Sequence, residues 1–238
     1  MAYHEAHAAL NVETGLTMSA ESRHNLVQHH LWSAQHAARQ CRDREEVLTK
    51  RNHRKPDLEQ NCGAMVAVSS SVAFLEALVN EVYMDAADPR LRSGGLLAGI
   101  SDEAVKVMAE QWNATPSIER QKVLKKFKAA LECAGTTMDL GCEPAQSVGL
   151  LIDFRDTLMH YKPQWQGDNP EPLFAELRKR LPVNDRVAQC NPWFPHQALS
   201  ADMAEWAWKT SLALAQQWWR DMGLVRESLP DLSHWKRP

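Results

Sequence analysis

The chain has no period-two alternation that would mark strands, no internal repeat and no low-complexity segment. That sets aside β-rich and repeat architectures and leaves helical periodicity as the organising signal. It also lacks a C-x-x-C pair. Its five cysteines, Cys41, Cys62, Cys133, Cys142 and Cys190, are odd in number and scattered. Such a set argues against a disulfide framework and a zinc site, and fits free thiols in a reducing compartment. No apolar run approaches the length of a bilayer span, and the start Met-Ala-Tyr-His-Glu has neither the basic residues nor the apolar core of a secretion signal. A soluble, cytoplasmic protein with no membrane contact is the expectation. Nor is there an excess of positive charge. With 27 Lys and Arg against 30 Asp and Glu the formal net charge is −3, so any nucleic acid must be met by local basic clusters. Three exist: Arg51-Asn52-His53-Arg54-Lys55, Lys122 with Lys125, Lys126 and Lys128, and Arg178-Lys179-Arg180. Each also reads as an ordinary solvated helix face.

What the chain does have is length and apolar content. Its 238 residues, 44% of them hydrophobic, are enough for a real core. Residues 1–17 read as a loose arm. Ser19 and Ser22 are candidate caps for a long helix that runs to about Arg54, and Pro56 closes it. Among His24, His29, His30 and His36 no two are three or four apart, so they read as surface or packing residues; His4 and His7 have that spacing, but within the arm. A second helix spans about Asn61–Ala87, with Val68, Val72, Leu75, Val79 and Val82 as its packed seam and Glu76 and Asn80 beside it. A loop through Ser93-Gly94-Gly95 leads to Ser101-Asp102-Glu103, which caps a short helix to Trp112. Thr115-Pro116-Ser117 opens another, through Cys133 to a stop at Gly135, its lysines facing out. A turn at Gln164–Pro172 and a short basic helix at Leu173–Leu181 follow the central helix, then an irregular connection over 182–199. Ser200 caps a last helix ending near Gly223. That helix is apolar on two sides, Met203, Ala207, Leu214 and Trp218 on one and Trp208, Leu212, Trp219 and Met222 on the other. One side is therefore a candidate face for a second subunit. The expected fold is all-α, an up-and-down helical bundle. Its parts are an N-terminal arm and long helix (1–56), a bundle (57–225) and a C-terminal tail (226–238).

The chemistry concentrates in residues 143–161, read as one helix. Val148, Ile152, Arg155 and Met159 share a stripe, so an arginine is set into an apolar face. Beside it run Gly149, Asp153, Asp156 and His160. A permanent cation, a carboxylate and an imidazole thus lie within about two turns, close to Tyr161 and Lys162, and Pro163 helps to end the helix. Arg155 is suited to phosphate oxygens and His160 to proton transfer near neutral pH; Asp156 is placed to orient or tune the imidazole. The bland alternative is a buried structural pair of Arg155 with Glu76, with His160 merely packing or capping.

Arg155-Asp156-Thr157-Leu158-Met159-His160 resembles the signature of the HEPN family: an arginine, a polar residue directly after it, and a histidine four to six positions on. The stretch Ser70–Glu81, with Glu76 and Asn80, is similar to the helix that many such domains place before the signature helix. The resemblance implies a HEPN-like helical bundle that pairs with a second copy, bringing two signature helices together. It implies a metal-independent endoribonuclease acting in toxin–antitoxin, phage-defence or RNA-processing settings, with Arg155, His160 and Asp156 as catalytic residues. Glu76 and Asn80 would then be supports, and Tyr161 and Lys162 RNA contacts. RNA, a second copy of the chain and a cognate antitoxin or other partner protein are the expected partners; no cofactor and no metal is expected. Some members are noncatalytic, so a helical module binding a nucleotide, RNA or a protein through the same groove stands as the alternative. A purely structural dimerisation bundle is a third.

Overall fold

The computed structural model describes residues 6–8, 20–22, 24–91, 95–162 and 172–224. The rest of the N-terminal arm, the Ser93-Gly94 part of the loop, Pro163, residues 164–171 of the turn and the C-terminal tail lie outside the described residues. The fold is all-α. Seven α-helices are described: α1 (Val27–Lys50), α2 (Leu58–Ala87), α3 (Asp102–Asn113), α4 (Val123–Cys133), α5 (Ala145–Met159), α6 (Pro172–Arg180) and α7 (Ala201–Met222). Outside them, Ala6–Ala8 (β1) pairs antiparallel with Ala20–Ser22 (β2). This corrects the reading of Ser22 as a helix cap and puts a strand at 6–8 within the expected arm, three-residue strands being too short to show alternation; Ser19 lies outside the described residues. Helix α1 starts instead at Val27, whose N–H donates to Asn25 Oδ1 at 2.7 Å. It ends at Lys50, four residues short of Arg54.

Helix α2 is the hub, packed along α1 and α7 and touching α3, α4 and α5. Its middle and C-terminal part (Phe74, Leu78, Val82, Tyr83) joins Met108, Phe127, Leu131 and Trp218 in one core cluster. Its N-terminal part (Ala64, Val68) joins Leu151, Phe154, Phe174 and Ala207 in a second. The Trp218 indole N–H donates to Phe127 O at 2.9 Å, so the buried ring leaves no orphan donor. Among the described residues α2 is also long and apolar enough to cross a bilayer. The expectation that no segment reaches that length is thereby corrected. Asn61, Glu76, Asn80, Glu81 and Asp85 break the run of letters without breaking the helix.

One further reading changes. The helix expected over 117–133 is broken: Ile118–Arg120 forms a single tight turn, Gln121 and Lys122 are extended (ψ 158° and 144°), and α4 begins at Val123. In α7, Trp219 and Met222 are buried by this chain and Trp208 and Leu212 are half-buried, so α1 and the rest of the bundle cover much of the second apolar face.

Polar contacts lock the end of the bundle where α1 finishes and α2 and α7 begin. Glu45 accepts from the Gln60 side chain and, through Oε2 at 3.0 Å, from Ala201 N–H. Arg42 pairs with Asp202 and, at 3.2 Å, with Glu205. Asp57 caps α2 by accepting from Gln60 N–H at 3.0 Å, and it accepts twice from Arg44, at 3.1 and 2.7 Å. Cys41 is buried nearby; burial first, then Glu45, pushes its thiol up to about 12, so it is inert near neutral pH. All five cysteines are free.

At the opposite end, α7 stops at Gly223 (φ 73°), and the 95–101 loop runs against that stop. A Cβ added at Gly99 would lie 2.1 Å from Gly223 O, a backbone atom that cannot swing aside. Gly99→Ala is expected to cost about 1–3 kcal/mol of stability through overpacking, read as a lower midpoint in urea. The hydrogen bonds from Arg44 hold the Asp57 carboxyl down to about 2. Its folded pKa is therefore depressed. The stabilisation is fully present above the ordinary carboxylate range and is lost as pH falls through that range towards 2. Thermal melts between pH 2 and pH 6 should show a shallower acid decline in Asp57→Asn, which keeps the cap but not the charge.

Candidate functional site

Helix α5 is positioned by its N-terminal and middle turns. Val148, Leu151 and Phe154, three apart, are buried against α2, α7 and the second cluster. Gly149 faces Leu124 of α4, where an added Cβ would make ordinary contact at 3.7 Å. Past Phe154 the helix leaves the core. The stripe expected through Val148, Ile152, Arg155 and Met159 therefore runs outward. Val148 is buried and Ile152 half-buried, the Arg155 side chain is 27% exposed and Met159 is 63% exposed. Arg155 sits on the border of the apolar face, not inside it, because the buried face is the one carrying Leu151 and Phe154.

The end of α5 brings several expected groups together. Arg155 Nε lies 2.8 Å from Asp156 Oδ1, an ion contact without hydrogen-bond geometry, since that nitrogen is buried and otherwise unsatisfied. His160 closes the helix, its backbone N–H donating to Asp156 O at 2.9 Å, with its side chain exposed. Lys162 is exposed, and Tyr161, 45% exposed, sets its ring 5.7 Å from that of Phe194. An imidazole, a carboxylate, a phenol and the Lys162 ammonium are thus exposed where α5 ends, and the half-buried Arg155 guanidinium lies against the carboxylate.

Glu76 and Asn80 form a different group. Lys126 Nζ donates to Glu76 Oε1 at 3.1 Å and to Asn80 Oδ1 at 2.9 Å. Its side chain is fully buried, while that of Glu76 is 42% exposed. This overturns the structural pairing of Arg155 with Glu76 and the outward placing of every α4 lysine. Among the described residues no hydrogen bond or ion pair joins Glu76 or Asn80 to Arg155, Asp156 or His160. Lys126 was hidden in a basic cluster. Its signal was indirect: two polar residues four apart beside the α2 seam need a donor, and α4 packs there. Trp193 and Phe194, in the irregular connection, gave no periodic signal at all. Among the described residues no three His, Cys, Asp or Glu side chains form a group able to hold a metal ion.

Compared with protein-family models, curated proteins and solved structures, the chain finds no match.

The Lys126 pair is energetically lopsided, because the cation is buried and the anion can reach water. Glu76→Ala leaves a buried ammonium with Asn80 alone and is expected to cost about 3 kcal/mol. Lys126→Met fills the same channel with an apolar chain, leaves Glu76 to solvent, and should cost far less. Chemical denaturation of the two variants and of the double variant checks this, with Lys126→Met expected to rescue Glu76→Ala.

Proposed function

We propose that the protein is a HEPN-like, metal-independent endoribonuclease acting as a homodimer, with its cleft at the exposed end of α5. The observation that carries the reading is that His160 and Asp156 are both exposed where α5 ends, with the half-buried Arg155 in ion contact with Asp156. In the proposed reaction one imidazole takes the proton of a ribose 2′-hydroxyl. The 2′-oxygen attacks the adjacent phosphorus, and the bond to the 5′-oxygen breaks. The leaving oxygen takes a proton from the imidazolium of a second copy, giving a 2′,3′-cyclic phosphate and a free 5′-hydroxyl. Arg155 stabilises the charge gathered on the phosphoryl oxygens. Asp156, in contact with Arg155, fixes the direction of that guanidinium and lies one turn below His160. Two copies are required because one histidine does not serve both transfers at once.

Incubation of RNA with the protein and a chelator should give cyclic-phosphate ends. His160→Ala and Arg155→Ala should each reduce the rate at least ~100-fold. Equal rates in parent and variants would reject the reading.

One observation favours a second reading. The Asp156 contact on a half-buried Arg155 also suits a guanidinium that only shapes a groove. A noncatalytic module of that kind would bind RNA without cutting it and lose binding in Arg155→Ala.

A further inference from the structure

Beyond the end of α5 lies a continuous layer of aromatic rings that the proposed chemistry does not use. Tyr161 touches Phe194 at 5.7 Å between ring centroids. Phe194 stacks on Phe174 of α6 at 4.8 Å and 18° between planes, and Phe174 meets Trp193 at 5.5 Å. The two inner rings are buried and the two outer ones reach the surface: Phe174 and Phe194 are 9% and 6% exposed, Tyr161 is 45% exposed and Trp193 half-buried. The layer is held in place from beneath, where Phe154 of α5 meets Phe194 edge-on at 5.9 Å. It is also held from the side, where Gln197 Nε2 donates to Asn191 O at 2.8 Å and Asn184 Nδ2 to Gln197 O at 3.2 Å.

Its charge is as specific as its shape. Of the three basic residues that end α6, Lys179 pairs with Glu176, and Arg180 with Glu176 and Glu143. Arg178 instead sets its guanidinium over the Trp193 ring, 5.2 Å from its centroid, and is exposed. At the other end of the layer, Tyr161 is flanked in the chain by His160 and Lys162, both exposed. Rings that offer π faces, bordered by cations that suit phosphates, form the chemistry that holds unpaired nucleotides.

We propose that Tyr161 and Trp193, with Arg178 and Lys162 beside them, form a base-stacking subsite that holds single-stranded RNA as it leads away from His160. The inference rests on the ribonuclease reading for its ligand. It goes beyond that reading in placing Trp193 and Arg178, which lie outside the signature helix, as binding residues. The strand must be unpaired, because stacked and paired bases do not present their faces to side chains. Purines, with the larger π surface, bind better than pyrimidines.

The test uses the full chain carrying His160→Ala, so that the probe stays intact. Fluorescein-labelled oligoadenylate, oligouridylate and an abasic ribose-phosphate oligomer of equal length are titrated and followed by anisotropy. Oligoadenylate should bind tighter than oligouridylate, and both tighter than the abasic oligomer. Tyr161→Leu, which removes an exposed ring, and Trp193→Leu should each weaken oligoadenylate binding about five-fold or more and leave abasic binding unchanged. Arg178→Gln should weaken all three and flatten the salt dependence. The proposal is overturned if the abasic oligomer binds as tightly as oligoadenylate, if duplex RNA binds more tightly than either single strand, or if Tyr161→Leu, with an unchanged melting curve, binds like its parent. Cleavage by the otherwise unaltered chain separates the two ideas. Cutting with an unchanged KM in Tyr161→Leu keeps the nuclease and removes the subsite. Base-dependent binding without any cutting keeps the subsite and removes the nuclease.

Discussion

Covering one apolar helix is the constraint that organises this chain. Helix α2, about 45 Å long at 1.5 Å per residue, presents buried side chains on several faces, from Gln60 and Ala64 near its start to Ala86 at its end. A helix apolar on so many sides must be wrapped, and α1, α3, α4, α5 and α7 each lay a stripe against it. Two core clusters result, because α2 is longer than any one neighbour can cover. The helix ends of the first wrap are locked by charge, through Glu45, Arg42 and Arg44. The other end is locked by close backbone contact between Gly99 and Gly223.

The elements legible in the sequence are those whose signals are local. The α2 seam, the Ser101 and Ser200 caps and the glycine stop at 223 come from neighbours within one turn, and the structure has them there: Ser101 Oγ accepts from Ala104 N–H at 3.3 Å and Ser200 Oγ from Met203 N–H at 3.1 Å. What was not legible depends on residues far apart in the chain. The Asp57 cap is masked in the sequence by the adjacent Pro56, and Arg44, which fixes Asp57, is thirteen positions earlier. Lys126 reads as one more surface lysine until α2, with Glu76 and Asn80, lies against α4, fifty positions away in sequence. The border position of Arg155 follows from how far α5 runs past its supports, which periodicity alone does not encode.

The polar residues picked out in the candidate site thus divide by role. Glu76 and Asn80 act on the interior, holding α4 to α2 through one buried cation. Asp156, His160, Tyr161 and Lys162 are exposed where α5 ends, with Arg155 half-buried beside Asp156. The division is physically sensible. A buried network tolerates no unsatisfied member, whereas a solvent-facing cluster can leave its hydrogen-bonding capacity open for a ligand.

Lys126 has one more consequence. An ammonium with no surface of its own is closed to acetylating or other amine-directed reagents for as long as α4 stays seated on α2. In a chain whose other lysines on α4, Lys125 and Lys128, remain open to solvent or half-open, it serves as an internal clock for local unfolding. Its modification is slowed relative to theirs in proportion to how rarely the two helices part.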